Sequence, residues 1–441
     1  MDRDVHTQNL YLSVMPDWLS SGSVAQIFSA LGQDNVRFVG GCVRDAWLNK
    51  SSSDIDLATI HHPDKVMELL QRAGVRSIPT GIDHGTITAV CDGDVFEITT
   101  LRQDVSCDGR HADVVFTDDW KQDAARRDFT INALSMSLDG KIYDYFSGIE
   151  DLEKGKVRFV GDANQRIEED YLRILRLFRF QAWYGISEIS ETQLTACQKH
   201  ARKITKISRE RIAIEMRKLC SAPNPSYALR KMYEYDVWFA VTTTPDEAVR
   251  SESFSLDMVD NVISSLIDHK KLLPKNLTDD WSIILLTFCI LVGYKQDDIN
   301  NLSRYWKLSN AERKRLSSVA CLVEKFASIR PNELYQCYKL ARCYGIDIFL
   351  DACVVAWSLE DVFVSNNTSQ NSSVNYAKAI SDIKAWDEPK FPLSGGVVQK
   401  YFSLGPSKKI GELLRSAEEY WEEEKYTPNQ QELLEYLSNK Y

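Results

Sequence analysis

The sequence predicts an α+β chain: a mixed sheet-and-helix head in the first third, followed by segments that are helical throughout. Three observations carry this. Short β-rich runs, punctuated by Gly-Gly and Asp-Gly pairs, alternate with amphipathic stretches up to about residue 160. Residues 223–360 read as helix after helix, with no strand alternation and no internal repeat. A chain of 441 residues also exceeds one ordinary hydrophobic core, so about two to four domains are expected.

Composition narrows the class. At 44% hydrophobic and 26% charged the chain is an average globular protein, neither disordered nor fibrous. Its formal charge of −10 argues against binding nucleic acid by bulk attraction. Ten cysteines are scattered without a CxxC pair, which speaks against a zinc module or disulfide framework and for reduced thiols in the cytosol. The most apolar stretch, Ile283–Val292, is too short to span a bilayer and reads as a core helix, so no membrane association is expected. The N-terminus, MDRDVHTQNL, lacks a signal-peptide apolar run.

Along the head, residues 24–31 look helical and Val36–Val39 reads as a short buried strand. Gly40-Gly41 breaks that strand and a helix restarts at Val43. Strand, glycine pair and helix start together make a place where backbone N–H groups can face a phosphate, although a plain turn is the simpler alternative. Asp54 and Asp56 follow in a strand-like run, where residues two apart share a face while Ile55 and Leu57 point to the core. Adjacent carboxylates repel unless a cation sits between them, and the natural partner is a hard divalent ion such as Mg2+; otherwise they mark a solvated strand edge. A hairpin comes next, Thr86–Val90 and Val95–Thr100 around an Asp-Gly turn. Within it Glu97 is either a third carboxylate beside the aspartates or an exposed edge residue. Arg126 and Arg127 precede an expected helix start, where they would clamp a triphosphate. A second hairpin, turning at Asp139-Gly140, and Tyr143–Phe146 close the domain.

Residues 166–182 predict one amphipathic helix. At about 100° per residue from Asp170, the side chains of Tyr171, Ile174, Leu175, Phe178 and Ala182 gather near 90°, while Arg173, Arg176 and Arg179 fall near 300°, 240° and 180°. Glu169 lies among the arginines and Asp170 is one helical neighbour from Arg173, so a solvated, internally paired face is the bland reading.

Five segments in order, over residues about 36–220, resemble the class II CCA-adding tRNA nucleotidyltransferases, with bacterial poly(A) polymerases as close cousins. They are Gly40–Asp45, Asp54–Asp56, His84–Thr88, Arg126–Asn132 and Glu169–Arg176. The similarity is strongest to the mitochondrial and alphaproteobacterial type, through Phe96–Arg102 and Asp108–His111. The resemblance implies a polymerase-β-like nucleotidyltransferase head (23–160) after an N-terminal extension (1–22), then an all-α neck (161–222), body (223–385) and tail (386–441). It implies that Asp54 and Asp56 hold two Mg2+ ions, with Glu97 as a third catalytic carboxylate. Gly40, Gly41 and Arg44 would contact the nucleotide, and Arg127 its triphosphate. Asp170 and Arg173 would read the incoming base, while Arg176 and Arg179 position it. C and A both present an exocyclic amine, which a carboxylate accepts, whereas U and G present a carbonyl that it repels.

The implied activity is template-independent addition and repair of the CCA end of tRNA from CTP and ATP. The alternative is a poly(A) polymerase or an A-only member. The loop from Arg102 to Phe116, with Asp104, Asp108, Gly109, Arg110 and His111, resembles the flexible loop that CC-only members lack. The implied location is the cytoplasm in a bacterium or the mitochondrial matrix in a eukaryote, and the oligomer a monomer or homodimer. Residues 199–218 carry eight Lys/Arg against two Glu, a local basic track suited to tRNA phosphates. Ser365–Ser373 is a polar loop, and the segment around Gly405–Leu414 resembles the family's tRNA-gripping tail. No His-Asp dipeptide marks an appended phosphohydrolase, and a dinucleotide fold would need a third glycine and a ribose acid.

Overall fold

The computed structural model describes residues 10–52, 54–107, 112–242, 258–273, 280–326, 334–365 and 375–441. Packing divides the chain into two units, residues 1–250 with 305–307, and residues 251–304 with 308–441.

The first unit is built on strands β1 (Leu10–Tyr11), β2 (Val36–Val39), β3 (Ile55–Thr59), β4 (Arg76–Gly81), β5 (Thr86–Cys91), β6 (Asp94–Thr100), β7 (Arg102–Cys107), β8 (Ala112–Phe116), β9 (Leu134–Met136) and β10 (Lys141–Asp144). Eight form one sheet in the order β1-β10-β9-β2-β3-β6-β5-β4, and β7 and β8 form a separate ribbon. The β3–β6 pair is parallel and the other pairs are antiparallel. Its register sets Asp56 opposite Glu97 and Leu57 opposite Ile98. Phe96 and Ile98 are buried while Val95 and Glu97 are exposed, the alternation of a strand with one covered face. The β5–β6 hairpin turns at Asp92-Gly93, both with positive φ, as a two-residue turn matching strand twist requires. Residues read as an N-terminal extension add β1 to the edge of this sheet, with Leu10 opposite Ile142. The segment read as a loop, 102–116, is strand on both sides; residues 108–111, and with them Asp108, Gly109, Arg110 and His111, lie outside the described residues.

Five helices accompany these strands: α1 (Gly22–Leu31), α2 (Gly41–Trp47), α3 (Pro63–Arg72), α4 (Trp120–Ala125) and α5 (Gly148–Glu153). Ser21 caps α1 by accepting from the Val24 N–H at 3.2 Å, and Val24, Ile27, Phe28 and Leu31 make its buried stripe. Arg126 and Arg127 lie between two helical segments: Asp119 starts α4 by accepting from the Lys121 N–H at 2.8 Å, Arg126 is its C-cap, and a short 3-10 turn, Thr130–Asn132, follows.

Beyond the sheet the first unit continues as α6 (Ala163–Glu169), α7 (Leu172–Tyr184), α8 (Glu191–His200) and α9 (Arg209–Cys220), followed by α10 (Pro225–Glu234) and α11 (Val237–Thr242). The single helix expected over 166–182 is two helices. Asp170 between them is extended, φ −152° and ψ 109°. Its Oδ1 accepts from the Leu172 N–H at 3.0 Å, so the carboxylate caps α7 instead of sitting inside a longer helix.

The second unit is helical wherever it is described: α12 (Met258–Lys270), α13 (Asp280–Leu291), α14 (Gln296–Tyr305, whose last residue groups with the first unit), α15 (Asn310–Phe326), α16 (Leu334–Tyr344), α17 (Ile346–Ser365), α18 (Tyr376–Lys384), α19 (Gly395–Tyr401), α20 (Lys408–Glu423) and α21 (Gln430–Lys440). α13 contains most of the apolar run and is buried on every side, as a core helix should be. Leu413, Ala417, Trp421, Leu433 and Leu437 join α20 to α21, which opens on an Asn429–Glu432 capping box. No described helix is long and apolar enough to cross a membrane. Of the segment read as a polar loop, Ser365 ends α17 and residues 366–373 lie outside the described residues. Nine of the ten cysteines, all but Cys107, are free thiols.

Candidate active-site cleft

Gly40 ends β2 with φ +73°, and a Cβ there would lie 2.9 Å from Nη1 of Arg127. The backbone angle is what calls for glycine here, since the mobile end of Arg127 could withdraw from a Cβ. Gly41 opens α2, whose Arg44 is buried. The Arg44 guanidinium donates to Asn132 Oδ1 at 2.5 Å and grips Asp45 through two bonds of 3.0 and 2.9 Å. Tyr184 donates to the same Asp45 at 3.0 Å and lies under the Arg44 guanidinium at 4.2 Å. Burial, with Asp45 adding to it, pushes the Tyr184 hydroxyl up to about 12, so it stays a donor.

From Asn132 the network passes to Asp128, a buried carboxylate. Its Oδ1 accepts from the Asn132 amide at 3.0 Å and the Phe129 N–H at 2.9 Å, and its Oδ2 from Arg176 Nε at 2.6 Å. Burial alone would raise this carboxyl, but Arg176 and these donors hold it below its ordinary range. Glu215 of α9 stands 3.8 Å from Arg176 and 2.9 Å from Nε of Arg179. Arg127 is tethered more loosely, 3.4 Å from Asp123 and 3.5 Å from the Asn132 carbonyl.

At the α6–α7 break, Asp170 is paired with Arg211 of α9 at 2.9 Å, not with Arg173 as helical spacing suggested. Arg173 donates to the carbonyls of Arg166 at 3.0 Å and Arg126 at 3.3 Å, and pairs with Glu169. Two of its five donors remain, while the Asp170 carboxylate, with about four acceptor sites, also keeps capacity.

These groups face one open cleft of about 780 Å³. Gly40, Gly41, Arg44, Asp56, Arg127, Asp170, Arg173, Arg176 and Arg179 line it, and so do seven basic side chains against three carboxylates in all. Asp54, just ahead of β3, and Glu97 are exposed and outside this lining. Asp56 nonetheless feels both. Burial raises its carboxyl, Glu97 and Asp54 raise it further, and Arg127 acts in the opposite sense. Among the described residues no three carboxylate, imidazole or thiol side chains converge as a closed metal cage. Mutually repelling hard oxygen donors on adjacent strands nevertheless fit a divalent cation that keeps waters and shares one or two carboxylates with substrate phosphates. Arg211, Glu215, Asp128 and Asn132 contact the cleft residues and were not singled out as candidates from the sequence. The available signals were the Arg126–Asn132 segment and the i,i+4 spacing of Arg211 and Glu215 within the basic stretch.

Comparison with known proteins adds to this geometry. A family described as poly A polymerase head domain matches residues 36–158, and one described as probable RNA and SrmB-binding site of polymerase A matches residues 188–239. The chain is 34% identical over 423 residues to the mitochondrial CCA tRNA nucleotidyltransferase 1 of Danio rerio, covering 94% of this chain and 89% of that relative. It is 34% identical to the Lactobacillus johnsonii CCA-adding enzyme, over 68% of this chain and 71% of the relative. Among solved structures, the Bacillus stearothermophilus CCA-adding enzyme in complex with CTP superposes with a TM-score of 0.70 at 22% identity, covering 95% of this chain and 96% of that one. The Thermotoga maritima CCA-adding enzyme complexed with tRNA gives 0.60 at 20% identity, covering 95% and 96%.

Proposed function

The chain belongs to the class II CCA-adding tRNA nucleotidyltransferases, and we propose that its cleft rebuilds the 3′-terminal CCA of tRNA from CTP and ATP. One observation carries the assignment of roles: Asp56, Arg127, Asp170 and Arg173 open onto a single strongly basic cleft. In this reading Arg127 and the glycine pair hold the triphosphate. Asp170 accepts from the exocyclic amine shared by C and A, and a remaining Arg173 donor meets the ring acceptor. Arg176 and Arg179, held by Asp128 and Glu215, fix the wall behind the base. Asp54 and Asp56, with Glu97 as third carboxylate, hold divalent ions, for which Mg2+ suits an all-oxygen donor set. Bound there, such ions lower the pKa of the RNA 3′-hydroxyl and stabilise the leaving pyrophosphate. The reaction forms the 3′-O–Pα bond and breaks the bond from Pα to the pyrophosphate.

We assign the chemistry to head (23–160) and neck (161–222), and the grip on the remainder of the tRNA to body (223–385) and tail (386–441). The test is extension of tRNAs ending before C74, after C75 and at full length, with CTP, ATP or both. C and A are incorporated in order and addition stops at CCA. Continued A addition without C would identify a poly(A) polymerase or A-only enzyme instead. Asp170→Ala blurs the choice between bases while sparing some chemistry; equal loss of every incorporation with unchanged preference would remove the base-reading role.

A further inference from the structure

We propose that Trp183 is a stacking platform for the last base of the single-stranded RNA 3′ end, a positioning role that rests on the functional reading above. Of the ten tryptophans in the chain, Trp183 alone is exposed, at 38%, and it lines the cleft. Its indole is held in place, because Nε1–H donates to the Lys218 carbonyl at 2.7 Å. That single bond uses the ring's only donor and leaves its faces to other partners.

The neighbouring rings on α7 are already covered by guanidinium groups. Arg179 lies 4.3 Å from Phe180 and Arg44 lies 4.2 Å from Tyr184. Trp183 has no such cation and no aromatic partner among the described residues. Lys218, whose carbonyl fixes the indole, is itself exposed and lines the cleft, a cation available to a phosphate. An exposed, oriented aromatic face beside a lysine is the pairing with which proteins hold single-stranded nucleic acid without reading its sequence.

Distance favours the RNA over the incoming nucleotide. Trp183 lies ten residues beyond Arg173 on one helix, about 15 Å along its axis. Stacked bases are about 3.4 Å apart, so a base read at Asp170 cannot also lie on this indole. Sequence tolerance is what this place requires, since the terminal base of the RNA differs at each addition.

The experiment measures C addition to a tRNA lacking CCA, with KM determined separately for tRNA and CTP. Trp183→Ala raises KM for tRNA by between about five- and a hundredfold, while KM for CTP stays within about twofold. Trp183→Phe, which loses the Nε1 bond but keeps a ring, stays near wild type. Trp183→Leu, apolar but not aromatic, behaves like alanine. An RNA with 2-aminopurine at its 3′ end is quenched on binding wild type and Trp183→Phe, but not Trp183→Ala. An unchanged KM for tRNA in Trp183→Ala, or rescue by leucine, overturns the platform. A wild-type protein that adds no C overturns the functional reading instead, so the two failures are distinct.

Discussion

Two buried carboxylates, one in each unit, face an arginine and respond in opposite ways. Asp128 in the cleft wall has Arg176, the Asn132 amide and the Phe129 N–H on its oxygens, and its carboxyl is held below the ordinary range despite burial. Asp351 on α17 is paired with Arg315 of α15, yet burial pushes it up to about 7, with Asp347 adding repulsion. Its Oδ1 finds no hydrogen-bond partner among the described residues. One guanidinium does not offset the loss of water; a guanidinium with two further donors does. Asp56 is a third case, raised by burial and by the neighbouring Glu97 and Asp54, with Arg127 acting against them.

The largest expected effect separates chemistry from folding. On the proposed metal-holding role of Asp56, Asp56→Ala lowers C and A addition by more than about a hundredfold. Its melting temperature stays level or rises, since the substitution removes a carboxylate that repels its neighbours. A protein that loses activity only in proportion to a lower melting temperature would put Asp56 with the structural acids.

Asp128→Ala comes next and strikes both properties. Removing the buried partner leaves Arg176 with only the more distant Glu215, at 3.8 Å, and costs up to about 3–5 kcal/mol, read by urea unfolding. The pH dependence follows from its lowered carboxyl. Above the unfolded value of about 3.9 the charged form stabilises the fold, and that stability is lost as pH falls below this value through the lower folded one. Asp128→Asn therefore loses less stability than wild type on acidification. An identical acid limb in both proteins would show that Asp128 is not held down.

What could be read from the sequence was local. The Gly40 break, the Asp92-Gly93 hairpin and the core helix around Ile283–Leu291 each follow from a few adjacent residues. Asp54, Asp56 and Glu97 were legible as carboxylates, but the opposition of Asp56 and Glu97 is set by a parallel register across a long crossover. The α6–α7 break escaped because apolar periodicity runs through both helices, while the deciding event is one aspartate capping its own successor. The partnership of Asp170 with Arg211, forty-one residues on, belongs to helix packing and leaves no trace in spacing.

Asp351→Asn tests the opposite sign. A carboxyl with a folded value of about 7 and an unfolded value of 3.8 takes up a proton on folding between those limits. Stability is full below the unfolded value and falls as pH rises to about 7, by about 1.4 kcal/mol per pH unit, then levels off. Asparagine imitates the protonated side chain and abolishes this slope. Denaturant unfolding at pH 4, 5.5 and 7 thus shows Asp351→Asn gaining on wild type as pH rises, with tRNA extension unaffected at 25 °C. Parallel curves would mean that Arg315 neutralises Asp351 as fully as Arg176 does Asp128.

The smallest effect isolates exposure as the variable. Asp170 and Arg211 make a carboxylate–guanidinium pair at 2.9 Å, comparable in length to the Asp128–Arg176 contact, but their side chains are 27% and 35% exposed. Water screens the pair and solvates either partner left alone, so Arg211→Met costs at most about 1 kcal/mol of stability. The consequence falls on selection instead: with Arg211 gone the Asp170 carboxylate loses its tether, and discrimination of CTP and ATP against UTP declines more than total incorporation. If Arg211→Met destabilised the protein as much as Asp128→Ala, burial would not be what divides these pairs, and the α6–α7 break would depend on Arg211 for its fold rather than for its aim.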